Sequence, residues 1–406
     1  MKLVGMAMFL AALISPVWAQ STGTLVGTVR DESGGVVPQA TVSLFRQGMT
    51  EPAFQTLTNN EGFFVFRSLQ PESYRIRIEK QGFATYEPPN LVTLAPGTET
   101  PLNDIVLKVG AQAAGTTVVE PHVSVQSSNA EVSTNLTTAQ LDTLPILDRD
   151  PLNLILTQAG VVAAGGAYTT IDGLRTSLSN VTLDGINIQD NTVRYNGLNY
   201  VVNNLVLGQV SQFTLVTSNQ AATYGNGITQ TAFVTPSGSN ELHGSAFYLN
   251  SNNAMNANSW YQNAGLSSFS PYSPAADAYK SNQGGFTVGG PLVKNKLFGY
   301  AGYEFFRERD TIGLSALTLS STLTQEISAL GVTINPIVSG LLSKIPPPNT
   351  NITTFAPFGV FEHAESRQGD WDNAIARLDY TPSQRNTFVA SHLWNRNNED
   401  IGTSLY

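Results

Sequence analysis

The 406-residue chain exceeds one ordinary domain, and only 13% of it is charged, against roughly 25% in an average soluble domain. A net charge of −9 argues against a nucleic-acid partner, which would need a basic face. The lack of cysteine excludes disulfide scaffolds and thiolate metal sites, while 35 glycines suit β structure with long polar loops.

The N-terminus reads as an export signal over residues 1–19. Lys2 supplies the positive end, Met6 to Ile14 is apolar, and Ala19 is the small residue before cleavage. As a spanning helix the run falls short of the ~20 apolar residues required.

Residues 21–109 carry strand signals at even spacing. Leu25, Gly27 and Val29 alternate with polar partners, as do Ala40, Val42 and Leu44, and Tyr74, Ile76 and Ile78 alternate with Arg75, Arg77 and Glu79. Ile105, Leu107 and Val109 close the set, giving a small antiparallel β-sandwich. Gly27-Thr28-Val29, Pro38 to Val42, and Thr58, Gly62, Phe64, Phe66, Leu69, Pro71 and Tyr74 at their spacing resemble the carboxypeptidase regulatory-like domain, a transthyretin-like sandwich. Glu72 stands where many members have glycine. No peptidase chemistry follows, since no HExxH is present. Phe64, Phe66 and Tyr74 read as core, with stacking on a sugar as the rarer use.

Residues 110–120 form a small-residue linker ending in Thr116-Thr117-Val118-Val119-Glu120, which is either the tail of that linker or an exposed strand offered to a partner. Between 121 and 240 short helices and strands mix. Thr137 starts a helical turn through Leu144. Asp150 caps a second, with Pro151 at its first position, Leu152, Ile155 and Leu156 on one face and Gly160 as its stop. Ala163 to Ala167 is loose. Asp184-Gly185 is a turn between two short strands, and Phe213 to Val216 and Phe233-Val234 are further strands. Asp184, Asn187, Asp190 and Asn191 lack calcium-loop spacing and read as turn formers.

Gly173-Leu174-Arg175, then Asn180-Val181-Thr182-Leu183-Asp184-Gly185, and Val210 to Thr217 leading into Tyr224-Gly225, resemble the plug domain of TonB-dependent outer-membrane receptors. The branch resembled is the Oar-like one, in which a regulatory-like sandwich precedes the plug. The resemblance places Arg175, Asn180, Leu183, Asp184 and Gly185 in the plug motif and Thr116, Thr117, Val118, Val119 and Glu120 at the segment that contacts TonB.

The low-charge stretch Ala222 to Phe247 is a seam, broken by Pro236 to Asn240. After it, 241–406 reads as about five long two-faced strands: Leu242 to Leu249, Asn282 to Leu292, Leu297 to Arg307, a strand holding Ala374 to Tyr380, and Asn386 to Arg396. Asn250 to Ser281 and Asp310 to Asp370 read as long loops. One apolar face, terminal aromatics and alternating short and long connections mark the first strands of an outer-membrane β-barrel. A soluble sandwich is the competing architecture; its strands are usually shorter. The runs beginning at Ser237 and Asn282 also resemble the Oar-like barrel entry. Plugged barrels of this size class have roughly 22 strands, so the chain is expected to be a fragment of a longer one.

The expected fold is therefore mainly β: a sandwich, a small α+β plug, and the opening strands of an incomplete transmembrane barrel. The resemblance implies energised uptake of a solute (glycan, peptide, siderophore or protein) at the outer membrane, with TonB and lipid as partners. Neither cofactor nor metal is expected, because the four histidines are scattered and no phosphate-binding glycine loop occurs. An enzyme is not expected. The rival function is a cell-surface carbohydrate-binding or adhesion protein.

Overall fold

A computed structural model describes residues 22–110, 130–144, 146, 149–164, 168–175, 178–190, 201, 205–220, 224–255, 257, 279–319, 325–327, 329–331, 335–349, 358–383 and 386–400. The expected signal at 1–19 and the expected TonB segment at 116–120 lie outside these residues. Two compact units divide the chain. The first comprises Met1–Ser245, Thr287–Gly302 and Ala374–Trp394; the second comprises Ala246–Phe286, Tyr303–Asn373 and Asn395–Tyr406.

The sandwich contains β1 (Gly23–Asp31), β2 (Thr41–Arg46), β3 (Phe54–Leu57), β4 (Phe63–Leu69), β5 (Ser73–Glu79), β6 (Val92–Thr93) and β7 (Glu99–Leu107). They form two sheets, β4-β1-β7 and β3-β2-β5-β6. Leu25, Leu44, Phe64, Tyr74, Ile76 and Ile105 fill the space between, as the period-two pattern requires. One expectation is corrected. The sandwich is not wholly antiparallel, because β1 pairs with β7 in parallel. Val109 lies beyond the end of β7 and is exposed. The turn before β4 explains two motif residues. Buried Thr58 accepts from the Ala40 N–H and donates to the Val37 carbonyl, both at 2.8 Å. Gly62 has φ +70, and a Cβ there would lie 2.6 Å from the Val29 oxygen.

The plug region contains β8 (Val132–Thr137), α1 (Thr138–Thr143), a 3₁₀ turn (Pro151–Thr157), β9 (Val161–Ala164), β10 (Tyr168–Ile171), β11 (Leu174–Arg175), β12 (Ser179–Leu183), β13 (Ile186–Asn187), β14 (Gln212–Ser218) and β15 (Thr229–Val234). Its main sheet runs β13-β12-β15-β14-β8, with β12 and β15 parallel. β9, β10 and β11 form a second sheet, so part of the stretch read as loose is strand. Asp150 caps the 3₁₀ turn, accepting from the Leu152 N–H at 2.9 Å. With three residues per turn, Leu152 and Ile155 align inward, whereas Leu156 rotates out and is exposed, against the helical expectation.

The wall contains β16 (His243–Asn252), β17 (Tyr279–Val293), β18 (Leu297–Leu319), β19 (Phe358–Ser383) and β20 (Asn386–Asp400), paired in chain order as an open five-stranded sheet. A short helix α2 (Pro336–Leu342) lies in the connection from β18 to β19. The strands outrun the expected ones, and the second loop shrinks to the residues between Leu319 and Phe358. Within the second unit, cross-strand ion pairs span the run that reads as loop. Arg367 meets Asp310 at 2.7 Å, Arg309 meets Asp370 at 2.8 Å, and Arg307 meets Asp372 at 2.5 Å. Among the described residues no helix is long and apolar enough to cross a membrane.

Candidate functional site

The first unit brings plug and wall together at the Asp184-Gly185 turn. Asp184 has φ +50 and Gly185 +83, the left-handed pair that a two-residue hairpin turn demands. This geometry aims the Asp184 carboxylate at the end of β15. Its Oδ1 accepts from the Thr235 N–H at 3.0 Å, and its Oδ2 accepts from the Thr235 hydroxyl at 2.7 Å.

From the wall, Arg377 of β19 closes the site. Its Nη1 donates to the Thr235 carbonyl at 2.6 Å and to the Thr235 hydroxyl at 2.7 Å, and lies 3.9 Å from Asp184. Its Nε and Nη2 are held by Asp379 at 3.0 and 2.9 Å. Arg377 and Asp379 are 7% and 2% exposed and Thr235 is 1% exposed. A charge so buried persists only with partners, and removing one from such a pair typically costs about 3–5 kcal/mol. The arrangement is a latch: plug carboxylate, plug hydroxyl, wall guanidinium and wall carboxylate, in sequence.

Further contacts flank it. The Tyr300 hydroxyl donates to the Gly208 carbonyl at 2.9 Å, and Gln209 Nε2 reaches the Ala374 carbonyl at 3.4 Å. The seam passes close over the wall at Gly238, where a Cβ would lie 2.4 Å from the Gly299 oxygen and 2.8 Å from that of Gly290. Asn240 then docks on the β17–β18 turn, its Oδ1 accepting from the Asn295 N–H at 2.9 Å.

Of the plug-motif residues, four gather on and beside β12. Asn180 donates to Gln230 Oε1 at 3.1 Å and accepts from Asn187 Nδ2 at 2.8 Å. Leu183 lies in the plug core, and Asp184 and Gly185 form the turn. Arg175 sits apart from them at the end of β11, in the other sheet. Asn187 Oδ1 accepts from the Gln189 N–H, a turn contact rather than a cation ligand arrangement. Sequence reasoning missed Thr235, Arg377 and Asp379 as site residues. Their signal was faint: two charges two apart on the face opposite Leu378 and Tyr380.

A model described as carboxypeptidase regulatory-like domain matches residues 24–108, and one described as outer membrane beta barrel domain matches residues 234–405. No curated protein matches the chain. Among solved structures, the outer membrane transporter YddB from Escherichia coli is 13% identical, covering 67% of this chain and 34% of its own, with a TM-score of 0.45. The ferric enterobactin receptor PfeA from Pseudomonas aeruginosa (mutant Q482A, with enterobactin) is 16% identical, covering 66% and 33%, at 0.40. The siderophore receptor PirA from Acinetobacter baumannii is 14% identical, covering 66% and 32%, at 0.39. The chain spans about a third of the length of these structures. The chain thus carries a carboxypeptidase regulatory-like domain ahead of an outer membrane beta barrel domain.

Proposed function

We propose that the chain supplies the plug and first wall strands of a gated outer-membrane transporter of the Oar-like branch, in which a solute passes only when the plug shifts. The carrying observation is the Asp184–Thr235–Arg377–Asp379 latch, which is buried and joins plug to wall. Such a joint resists spontaneous opening and needs work to break. On this reading the work comes from TonB through Thr116 to Glu120, and the cargo is a glycan, peptide, siderophore or protein. The reading is not enzymatic. The rival, a glycan-binding sandwich, loses its candidate rings: Phe64, Phe66 and Tyr74 are all buried in the sandwich core.

Two measurements test it. The protein that contains this chain is expected in outer-membrane material that resists salt and alkaline carbonate; a freely soluble product overturns the transporter. Deleting Thr116 to Glu120 is expected to abolish solute uptake by cells carrying the transporter, and unchanged uptake removes that segment from the mechanism.

A further inference from the structure

The sandwich touches the plug and the wall at buried joints that neither the plug nor the wall explains. Its loop 94–98 straps the plug. The Leu94 carbonyl accepts from Gln212 Nε2, on the first residue of β14, at 2.9 Å. The Pro96 carbonyl accepts from the Tyr224 hydroxyl at 3.2 Å. Gly97, at φ +74, lies flat on the Tyr224 ring, where a Cβ would come within 2.7 Å. Burial, and then the Glu131 carboxylate, push the Tyr224 phenol well above its ordinary pKa, so it stays a donor.

A second joint reaches the wall. Arg46, at the end of β2, pairs with Glu72 at 2.7 Å and with Gln70 at 3.0 Å, and its Nη1 donates to the Thr381 hydroxyl at 2.9 Å. Thr381 is two residues from Asp379 and on the same face of β19. Glu72, which departs from the family's glycine, thus holds the arginine that touches the latch strand. A third joint seats Met49 and Ala53 against Phe298, with Asn240 Nδ2 donating to the Gly48 carbonyl at 3.3 Å.

We propose that the sandwich is a clasp that binds plug to wall, so that the plug yields only after the sandwich lets go; this rests on the transporter reading. The chain runs from the sandwich through 111–129 into Glu131 and β8, an edge strand of the plug sheet. A pull on that linker reaches β8 first. The strap holds β14, the neighbour of β8, and Tyr224 beside Glu131. An edge strand so flanked cannot peel while the strap is seated.

A disulfide tests the clasp. A Cβ on Gly48 would lie 3.4 Å from that of Asn240, close to disulfide spacing, and the chain has no other cysteine to compete. In the full chain, hydrogen exchange at Val132–Thr137 is expected to slow about tenfold in oxidised Gly48→Cys/Asn240→Cys. It is expected to quicken about tenfold in Tyr224→Phe and in Arg46→Met, with β1 and β4 unchanged as the folding control. Exchange in β8 that ignores all three variants overturns the clasp. In cells carrying the whole transporter, the oxidised pair is expected to stop uptake and reduction to restore it; full uptake in the oxidised form overturns the clasp. If the exchange shifts occur but the unaltered protein takes up no solute, the transporter reading falls and the clasp contact survives it.

Discussion

In β5 of the sandwich, Tyr74, Ile76 and Ile78 are sealed inside while Arg75, Arg77 and Glu79 face outward. In β19 of the wall, Arg377 and Asp379 are sealed inside while Leu378 and Tyr380 are 47% and 45% exposed. Both strands have the same two-residue period, and their polarity is inverted. The sandwich hides its oily face because water surrounds it. An outer membrane beta barrel turns its oily face to lipid, and its polar face must then satisfy itself inward, as Arg377 and Asp379 do. Periodicity alone does not say which face is buried; the neighbours each face can find decide that.

The largest expected break in this contrast is Arg377→Met. It strands Asp379 in a buried setting, and should lower plug stability by about 3–5 kcal/mol, read as earlier protease cleavage of the plug in urea. Adding Asp379→Leu to that variant should recover part of the loss. Leu378→Lys comes next, at about 2–4 kcal/mol if the residue sits near mid-bilayer, measured by urea titration of folding into vesicles. A Leu378→Phe control should be near neutral there. If Lys is equally harmless, the outer face is not lipid-facing. In the sandwich, Ile76→Val removes one methyl group from the closed core and should cost about 0.5–1.5 kcal/mol by denaturant midpoint.

The smallest effect is electrostatic. Desolvation opposes the charge on Glu87, but its bonds to Arg77 and its neighbour Arg75 outweigh that and lower its pKa below the ordinary glutamate value of 4.5. The folded state therefore gains from ionised Glu87 above that value, and loses the gain as pH falls through the lowered one. The half-exposed pairs limit the effect to under about 1 kcal/mol. Glu87→Gln should flatten the acid limb of sandwich unfolding by that amount and leave the neutral-pH slope alone.

Most of the sandwich and the wall strand positions were legible because each carries an unbroken period of two. The Asp184-Gly185 turn was legible for a local reason, since both residues need positive φ. The short strands β8, β9 and β10 were not, being only four to six residues long and free of a strong apolar alternation. The upper parts of β18 and β19 read as loop because their charges look solvated; the pairing of Arg367 with Asp310 is visible only once the strands are side by side. The latch was half legible. Arg377 and Asp379 showed only as two charges opposite an apolar face, and nothing near them in sequence named Thr235 or Asp184 as partners.

The seam also bears on how the protein assembles. Asn240 meets Asn295 across 55 residues, whereas Arg377 meets Thr235 across 142. Loop closure favours the nearer meeting. The seam can therefore dock on the β17–β18 turn while later strands are still arriving, before Arg377 reaches Thr235.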